Sequence, residues 1–353
     1  MRILGFFVLF CTIAQVAASQ TIGDVKPSLP KDPGAVFASA APFYNFSDPS
    51  LKPWHMKASY QLYDENERPS SQGTFEYWWL SPKVYRSSWT RPGSTHSDWH
   101  TADGKYAYQT SGESLNYFEY KLQSMLLSPL PDSNDLAPDE ARLERQAIGK
   151  NDDKIPCITV IPKMTTFGSN QVVPLGIFPT YCFDSQLPAV QAIFSVGSVT
   201  TVFGKIAMMN GKYLARQVDM LEGKRKILTA SVDSVTGLSP SDPALVPSPE
   251  ALAPKTDKIV IDATVMTGAL LKKQMPVYPQ DAKDAHVSGK VILKALIGRD
   301  GGIHSLHVVS TPWPSLAASS LWAVSHWKYK PYLLNGEPVD VETTVNVIFS
   351  LGG

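Results

Sequence analysis

Charge is scarce in this sequence. Only 18% of its 353 residues are Asp, Glu, Lys or Arg, and 32 bases balance 32 acids. A balanced surface lacks the basic footprint that a phosphate backbone demands, so nucleic acid is excluded as a partner. Cysteine is scarcer still, with three residues and no CxxC pair. GxSxG, Walker A and HExxH are all missing, so no signature of a nucleophilic, nucleotide-driven or zinc-driven enzyme is present. The expectation is a protein that is not an enzyme, uses no cofactor and holds no metal. Apolar runs of membrane length are also missing beyond the first twenty residues, which excludes a multi-span membrane protein. What is abundant is proline, at 28 residues, and aromatic side chains. With 43% apolar residues the chain can bury a core, and the combination points to β-rich domains joined by extended segments.

The first segment reads as an export signal. Arg2 precedes an apolar run over residues 3–18, and Ala17-Ala18-Ser19 before Gln20 supplies small residues at a cleavage site. A run of about 16 residues falls short of the about 20 that span a bilayer. The alternative is an uncleaved helix that anchors the chain in the inner membrane. Cys11 lies within the signal behind Phe10, which is too large for a lipid-attachment site. The exported chain keeps Cys157 and Cys182. In an oxidising compartment such a pair forms a disulfide, and closing that loop stabilises by about 3 kcal/mol.

Prolines divide the chain. Residues 1–19 are the signal, and 20–53 form an extended, proline-rich leader. Residues 54–239 form an antiparallel β domain, 240–255 a proline-rich linker, and 256–353 a compact second domain. As polyproline II the linker would span about 46 Å. In the first domain, strands are expected over 56–62, 74–80, 83–90, 96–102 and 105–109, with Asp103-Gly104 as a hairpin turn. Leu115, Phe118, Leu122, Met125 and Leu126 then fall at helical spacing, with Ser114 as N-cap. A second helix is expected over 138–148, with Pro at its first turn. Strands resume over 155–161, 177–183 and 190–229, with Asn210-Gly211 as a hairpin turn. His96, Asp98 and His100 alternate along one strand and could face one way, but a solvated strand face is the simpler reading, and no metal is assigned.

Gly73-Thr74-Phe75, Leu80-Ser81-Pro82-Lys83-Val84-Tyr85-Arg86, Arg91-Pro92 and Ala102-Asp103-Gly104-Lys105 occur in the order found in LolA-type periplasmic lipoprotein carriers. Residues 54–239 resemble that half-barrel family. The resemblance implies a concave apolar face closed by helices, a lipid or acyl chain as ligand, and Trp78, Trp79, Tyr85 and Trp89 as candidate cavity residues. The alternative is that these aromatics fill a core.

The second domain reads strand, strand, helix, strand. Val291, Leu293, Ala295 and Ile297 share a strand face, and Gly298-Arg299-Asp300-Gly301-Gly302 forms a turn. Ala317, Leu321, Val324 and Trp327 make a helical stripe, and Val341, Thr343, Val345, Val347 and Phe349 alternate in a last strand. The fold class is therefore α+β: a half-barrel-like sheet, then one helix on a three-stranded antiparallel sheet. Met275-Pro276-Val277-Tyr278-Pro279, Gly289-Lys290-Val291, the glycine-rich turn, Trp327-Lys328-Tyr329-Lys330-Pro331 and Val345-Asn346-Val347-Ile348-Phe349 make residues 268–351 resemble the TonB C-terminal domain. That resemblance implies a periplasmic module that meets a segment of an outer-membrane transporter, or another envelope protein, by strand addition. Carried over by position, Tyr278, Pro279, Thr343, Val345, Asn346, Val347 and Phe349 are the candidate contacts. Two alternatives stand: Tyr278-Pro279 orients the short helix that follows, and the last strand pairs in a homodimer. A cleavable signal and a short linker depart from the pattern of TonB-type energy transducers.

Overall fold

A computed structural model describes residues 28–149, 154–162, 175, 177–195, 199–251 and 258–351. The expected signal, residues 1–19, and the last part of the expected linker lie outside the described residues. Among the described residues no helix is long and apolar enough to cross a membrane.

Twelve strands form one antiparallel sheet. They are β1 (Trp54–Tyr63), β2 (Pro69–Ser81), β3 (Val84–Arg91), β4 (Ser94–His100), β5 (Tyr106–Ser111), β6 (Ala141–Ile148), β7 (Ile155–Pro162), β8 (Thr180–Phe183), β9 (Val190–Ser195), β10 (Val199–Met209), β11 (Lys212–Glu222) and β12 (Arg225–Gly237). Their spatial order is β5-β4-β3-β2-β1-β12-β11-β10-β9-β8-β7-β6. The chain thus meanders from the centre to one edge, crosses to the opposite edge, and meanders back until β12 pairs with β1. One crossover does this, and it contains helix α2 (Tyr117–Leu127). The sheet must curl around that helix. Glu119 at its start meets Tyr60 of β1 and Arg91 of β3, while the helix also packs against β11. Cys157 and Cys182 face each other across β7 and β8 and are joined in a disulfide.

Three expectations change here. The leader is not extended throughout: residues 33–44 form helix α1 (Pro33–Tyr44), with the Asp32 carboxylate capping the Ala35 N–H at 2.7 Å. Val36, Phe37, Ala40 and Tyr44 fall on one buried face, and Phe37 packs edge-on against Tyr181 and Phe183. Residues 138–148 are not a helix. Good helix formers are overridden by pairing of β6 with β7 along its whole length. The N-cap of α2 is Asn116 and not Ser114; its side chain accepts from Phe118 and Glu119, and Glu119 returns the bond in a capping box.

The second domain contains β13 (Lys258–Val260), α3 (Ala263–Thr267), β14 (Leu270–Lys272), α4 (Gln280–Asp284), β15 (Gly289–Ile297), β16 (Ile303–Ser310), α5 (Pro314–Ser325), β17 (Lys328–Tyr329), β18 (Leu333–Leu334), β19 (Glu337–Pro338) and β20 (Asp340–Phe349). Its main sheet runs β13-β20-β15-β16. The expected three antiparallel strands are present, and β13 adds a short fourth strand, parallel to the start of β20. Leu316, Ala317, Leu321 and Val324 of α5 are buried against the face that carries Leu293, Ala295, Val345 and Val347. The start of the linker is not a free spacer either. The Ala244 carbonyl accepts from the Trp99 indole at 2.9 Å and from Arg86 at 3.3 Å, and Ser248 donates to Gln109. The two domains share one continuous core.

Glu119 is the most consequential polar group in this core, being fully buried. It accepts from Tyr60 at 2.7 Å, from Arg91 at 3.1 Å through both oxygens, and from the Asn116 N–H at 2.8 Å. Glu119→Ala should lower stability by about 3–5 kcal/mol, because Arg91 loses its buried counter-charge and keeps only the exposed Glu113 carboxylate at 3.5 Å. Urea unfolding of the full chain measures this, and a loss below about 1 kcal/mol would show that the pair does not hold the helix.

Candidate functional site

The strand edge follows from the backbone. In a strand the N–H and C=O of one residue point to the same side, and the side alternates along the chain. The Ile261 N–H donates to the Glu342 carbonyl at 3.0 Å, so Glu342 faces the β13 side. The register of β20 with β15 is unbroken from Val341 to Phe349. Thr344, Asn346 and Ile348 therefore turn their backbone groups to the β13 side, while Thr343, Val345, Val347 and Phe349 turn theirs to β15. Because β13 ends at Val260, opposite Glu342, the edge over residues 343–349 has no strand partner among the described residues.

This sorts the sequence candidates. The side chains of Thr343, Val345, Val347 and Phe349 are buried, and their backbones belong to β15. Of the strand candidates only Asn346 offers both backbone and side chain at the open edge. Thr344 and Ile348, which are not among the sequence candidates, do the same, and Ile348 is 74% exposed. Tyr278 is half-buried, packs edge-on against Phe349 at 5.2 Å and donates its hydroxyl hydrogen to the Val287 carbonyl. Pro279 is the N-cap of α4. These two residues fix the end of β20 and start the short helix. The neighbouring Met275 and Val277 are the exposed apolar groups, at 64% and 74%.

The four aromatics expected to line a cavity do not share one face. Phe75, Tyr77 and Trp79 of β2 and Tyr85 and Trp89 of β3 look inward; Trp78 looks outward and lies on Arg86, which is sandwiched between Trp78 and Trp99. Trp79 and Trp89 are fully buried. Trp54, Trp79, Tyr85, His100 and Tyr106 are successive cross-strand partners, forming one row of rings over five strands. The buried indole N–H groups of Trp54 and Trp79 have no hydrogen-bond partner.

A cavity of about 550 Å³ opens where the second domain meets β4, β5 and α2. His96, Asp98 and His100 share the inward face of β4; His96 and Asp98 lie in the cavity 2.9 Å apart, while His100 stacks on Tyr85 at 4.1 Å outside its lining. The other wall is the glycine-rich turn, read from sequence only as a hairpin. The Arg299 guanidinium lies over Tyr106 at 4.6 Å, and the Arg299 backbone N–H donates to the Asp340 carboxylate at 3.0 Å. Asp300 accepts from Tyr120 at 3.2 Å, from His304 at 3.1 Å and from the Gly302 N–H at 2.9 Å. Nearby, Phe118 meets Trp322 and His326. No sequence signal distinguishes Arg299 and Asp300 from ordinary turn residues, because their partners lie about 180 residues upstream.

The charges at this junction favour docking in different pH ranges. Burial pulls the His96 pKa down, but Asp98, Asp300 and Glu119 outweigh it and the net shift is upward. Burial pushes Asp98 and Asp300 up, but their histidine partners, with Tyr106 beside Asp98 and Lys328 beside Asp300, bring both below the ordinary carboxylate range. His326 is lowered by burial, which its bond to the Trp322 carbonyl only partly offsets. A raised histidine contributes stability that is complete below its unfolded value of about 6.5 and is lost as pH rises through its folded value. A depressed histidine does the reverse, and stability is lost as pH falls below about 6.5. His96→Gln should flatten the loss of stability on the alkaline side, and His326→Gln the loss on the acid side. Urea midpoints between about pH 5 and 9 check this; identical profiles for both variants would contradict it.

Residues 274–351 match the family described as Gram-negative bacterial TonB protein C-terminal. No curated protein matches the chain significantly. Among solved structures, the TonB C-terminal domain of Pseudomonas aeruginosa is 26% identical over 24% of this chain and 86% of its own, with a TM-score of 0.22. A DUF1329 family protein from Desulfovibrio piger is 10% identical over 58% of this chain and 93% of its own, with a TM-score of 0.36. A LolA superfamily protein from Nitrosomonas europaea is 8% identical over 61% of this chain and 97% of its own, with a TM-score of 0.34. Structural likenesses at these scores assign no activity. By its family match, the C-terminal module of this chain, residues 274–351, is of the TonB C-terminal type.

Proposed function

We propose that this chain is an exported envelope protein, working in the periplasm, whose C-terminal module captures an extended segment of an outer-membrane transporter or another envelope protein. The role is binding, not catalysis. The observation that carries this reading is the strand edge at Thr344, Asn346 and Ile348, which has no strand partner among the described residues. Main-chain hydrogen bonds there would give affinity, and side chains packing beside Ile348 and Val277 would give selectivity. Of eleven large apolar side chains exposed among the described residues, seven belong to the second domain: Val260, Val265, Leu271, Met275, Val277, Leu333 and Ile348, the last four of them within residues 274–351. An apolar concentration of this kind marks a partner surface more than a solvated one.

A second reading, a lipid or acyl-chain carrier, draws on the partnerless indoles of Trp54 and Trp79. A buried donor without a partner costs about 1–3 kcal/mol, and an ester carbonyl would satisfy it. The cavity at the domain junction does not suit an acyl chain, since tyrosines, histidines and carboxylates line it. Organic extraction of the purified chain followed by mass spectrometry tests the carrier reading, which fails if no lipid co-purifies.

Strand capture is tested by calorimetry with peptides from the N-terminal segments of outer-membrane transporters of the same cell. Asn346→Pro removes an edge N–H without touching the β15 ladder. It should weaken peptide binding about tenfold or more, roughly 1.4 kcal/mol, with an unchanged urea midpoint. Equal binding by the variant, or no binding by the native chain, would overturn the reading. If sedimentation instead shows a dimer that Asn346→Pro dissociates, a second copy of the chain occupies this edge.

A further inference from the structure

The cavity at the domain junction does not recommend itself as an ion site. Asp98 is bound by His96 and Tyr106, Asp300 by His304 and Tyr120, and Asp340 by Arg299. Its charged lining is turned inward, toward holding the two domains together. The same lining leads directly to the strand edge.

Asp340 is the first residue of β20. Its backbone lies beside β13, in register with Lys258. Its carboxylate accepts the Arg299 N–H at 3.0 Å and pairs with the guanidinium at 3.6 Å. That guanidinium covers Tyr106 at 4.6 Å and Tyr108 at 5.5 Å, both on β5 at the edge of the large sheet. Asp300, the next residue, holds Tyr120 of α2. Two residues thus connect the place where β13 sits to the rim of the first domain.

The turn between them has little freedom to absorb movement. Gly301 has φ +76°, and a Cβ there would lie 1.9 Å from the Tyr329 carbonyl oxygen. A Cβ on Gly298 would lie 2.0 Å from the His304 ring. The Gly301 N–H also donates to the Gly298 carbonyl at 2.8 Å, and the Tyr329 N–H to the Gly301 carbonyl at 2.8 Å. By contrast β13 is three residues long, parallel, and paired on one side only. Such a strand belongs to the least stable part of a fold. A weak element beside a stiff connection has two arrangements, paired and released, that both domains can bias.

We infer that the Gly298–Gly302 turn is a latch that couples occupancy of β13 on β20 to docking of the first domain against the second. Displacing β13, which a captured strand extending past residue 343 would do, shifts Asp340 and loosens Arg299 and Asp300 from β5 and α2. Loosening the latch from the first-domain side frees β13 and lengthens the open edge. Reciprocity requires the two effects to be of equal size. The link to a captured strand rests on the strand-capture reading; the coupling between β13 and the latch does not.

Hydrogen exchange of the full chain, read by mass spectrometry, tests this without any partner peptide. Tyr120→Phe removes only the hydroxyl that Asp300 holds, and Tyr106→Leu removes the ring beneath Arg299. Both substitutions lie in the first domain. Each should speed exchange over residues 259–261 about fivefold or more, with α5 and the β1–β12 pairing as protected as in the native chain. In the reverse direction, the double variant Ile259→Pro, Val260→Pro should speed exchange in β5 and at the start of α2. Unchanged exchange at 259–261 in Tyr120→Phe, or a rise spread evenly over the whole chain, would overturn the latch. Because no peptide is involved, either result leaves the strand-capture test to stand or fall by itself.

Discussion

The buried Arg91–Glu119 pair is the constraint on which the rest of the arrangement depends. A meander that reaches one edge of a twelve-stranded sheet must reach the other, and the only route inside the fold is across the concave face. That route is α2. A helix laid on a sheet by apolar contacts alone could slide along it. Glu119 prevents this by accepting hydrogen bonds from β1, from β3 and from the N-cap of its own helix at once. The cost of burying a carboxylate is offset only because its hydrogen-bonding capacity is so fully used. With the helix fixed, Phe118 and Tyr120 point at the second domain from known positions, and docking of that domain follows.

Much of this was legible from residues alone. Period-two alternation located the strands of both domains, and Asn210-Gly211 marked its hairpin, with φ of 48° and 79°. The misreadings share a cause: a local signal overruled by a distant partner. The run 138–148 has helical composition, but an edge of the sheet needed a strand there, and β7 supplied half of its backbone bonds. The prolines of the leader hid the spacing of Val36, Phe37, Ala40 and Tyr44, which seats α1 on the concave face. The prolines near residue 243 suggested a spacer, whereas Trp99 and Arg86 hold that segment on the convex face.

The candidate binding strand shows a finer limit. Alternation tells which side chains of β20 face α5, and the sequence carries that plainly. Which backbone groups face outward is a second alternation, and its phase is set by the neighbour on each side. Only the bond from Ile261 to Glu342 fixes it. Inward side chains and outward backbone groups could have coincided, and the sequence candidates assumed as much. They do not: the residues that build the core give their backbone to β15, and the exposed residues between them own the edge.

The edges of the two sheets, taken together, give strand capture its physical sense. A strand edge with unpaired groups invites pairing, and proteins blunt such edges unless they use them. At β5 the Arg299 turn covers the inward face of the edge strand. At β6 the edge carries Arg142, Glu144 and Arg145, and Arg145 also reaches the Pro30 and Lys31 carbonyls. On the other side of the small sheet, β16 is packed by α2. Along β20, strand pairing stops at Glu342, where β13 ends and α3 follows in contact with β20, and the groups beyond are Thr344, Asn346 and Ile348, without a charge among them. An uncharged edge among guarded ones is what the proposed strand capture would need. Under the proposed coupling, the short strand beside it would act as a removable cover, held in place by the same turn that holds the domains together.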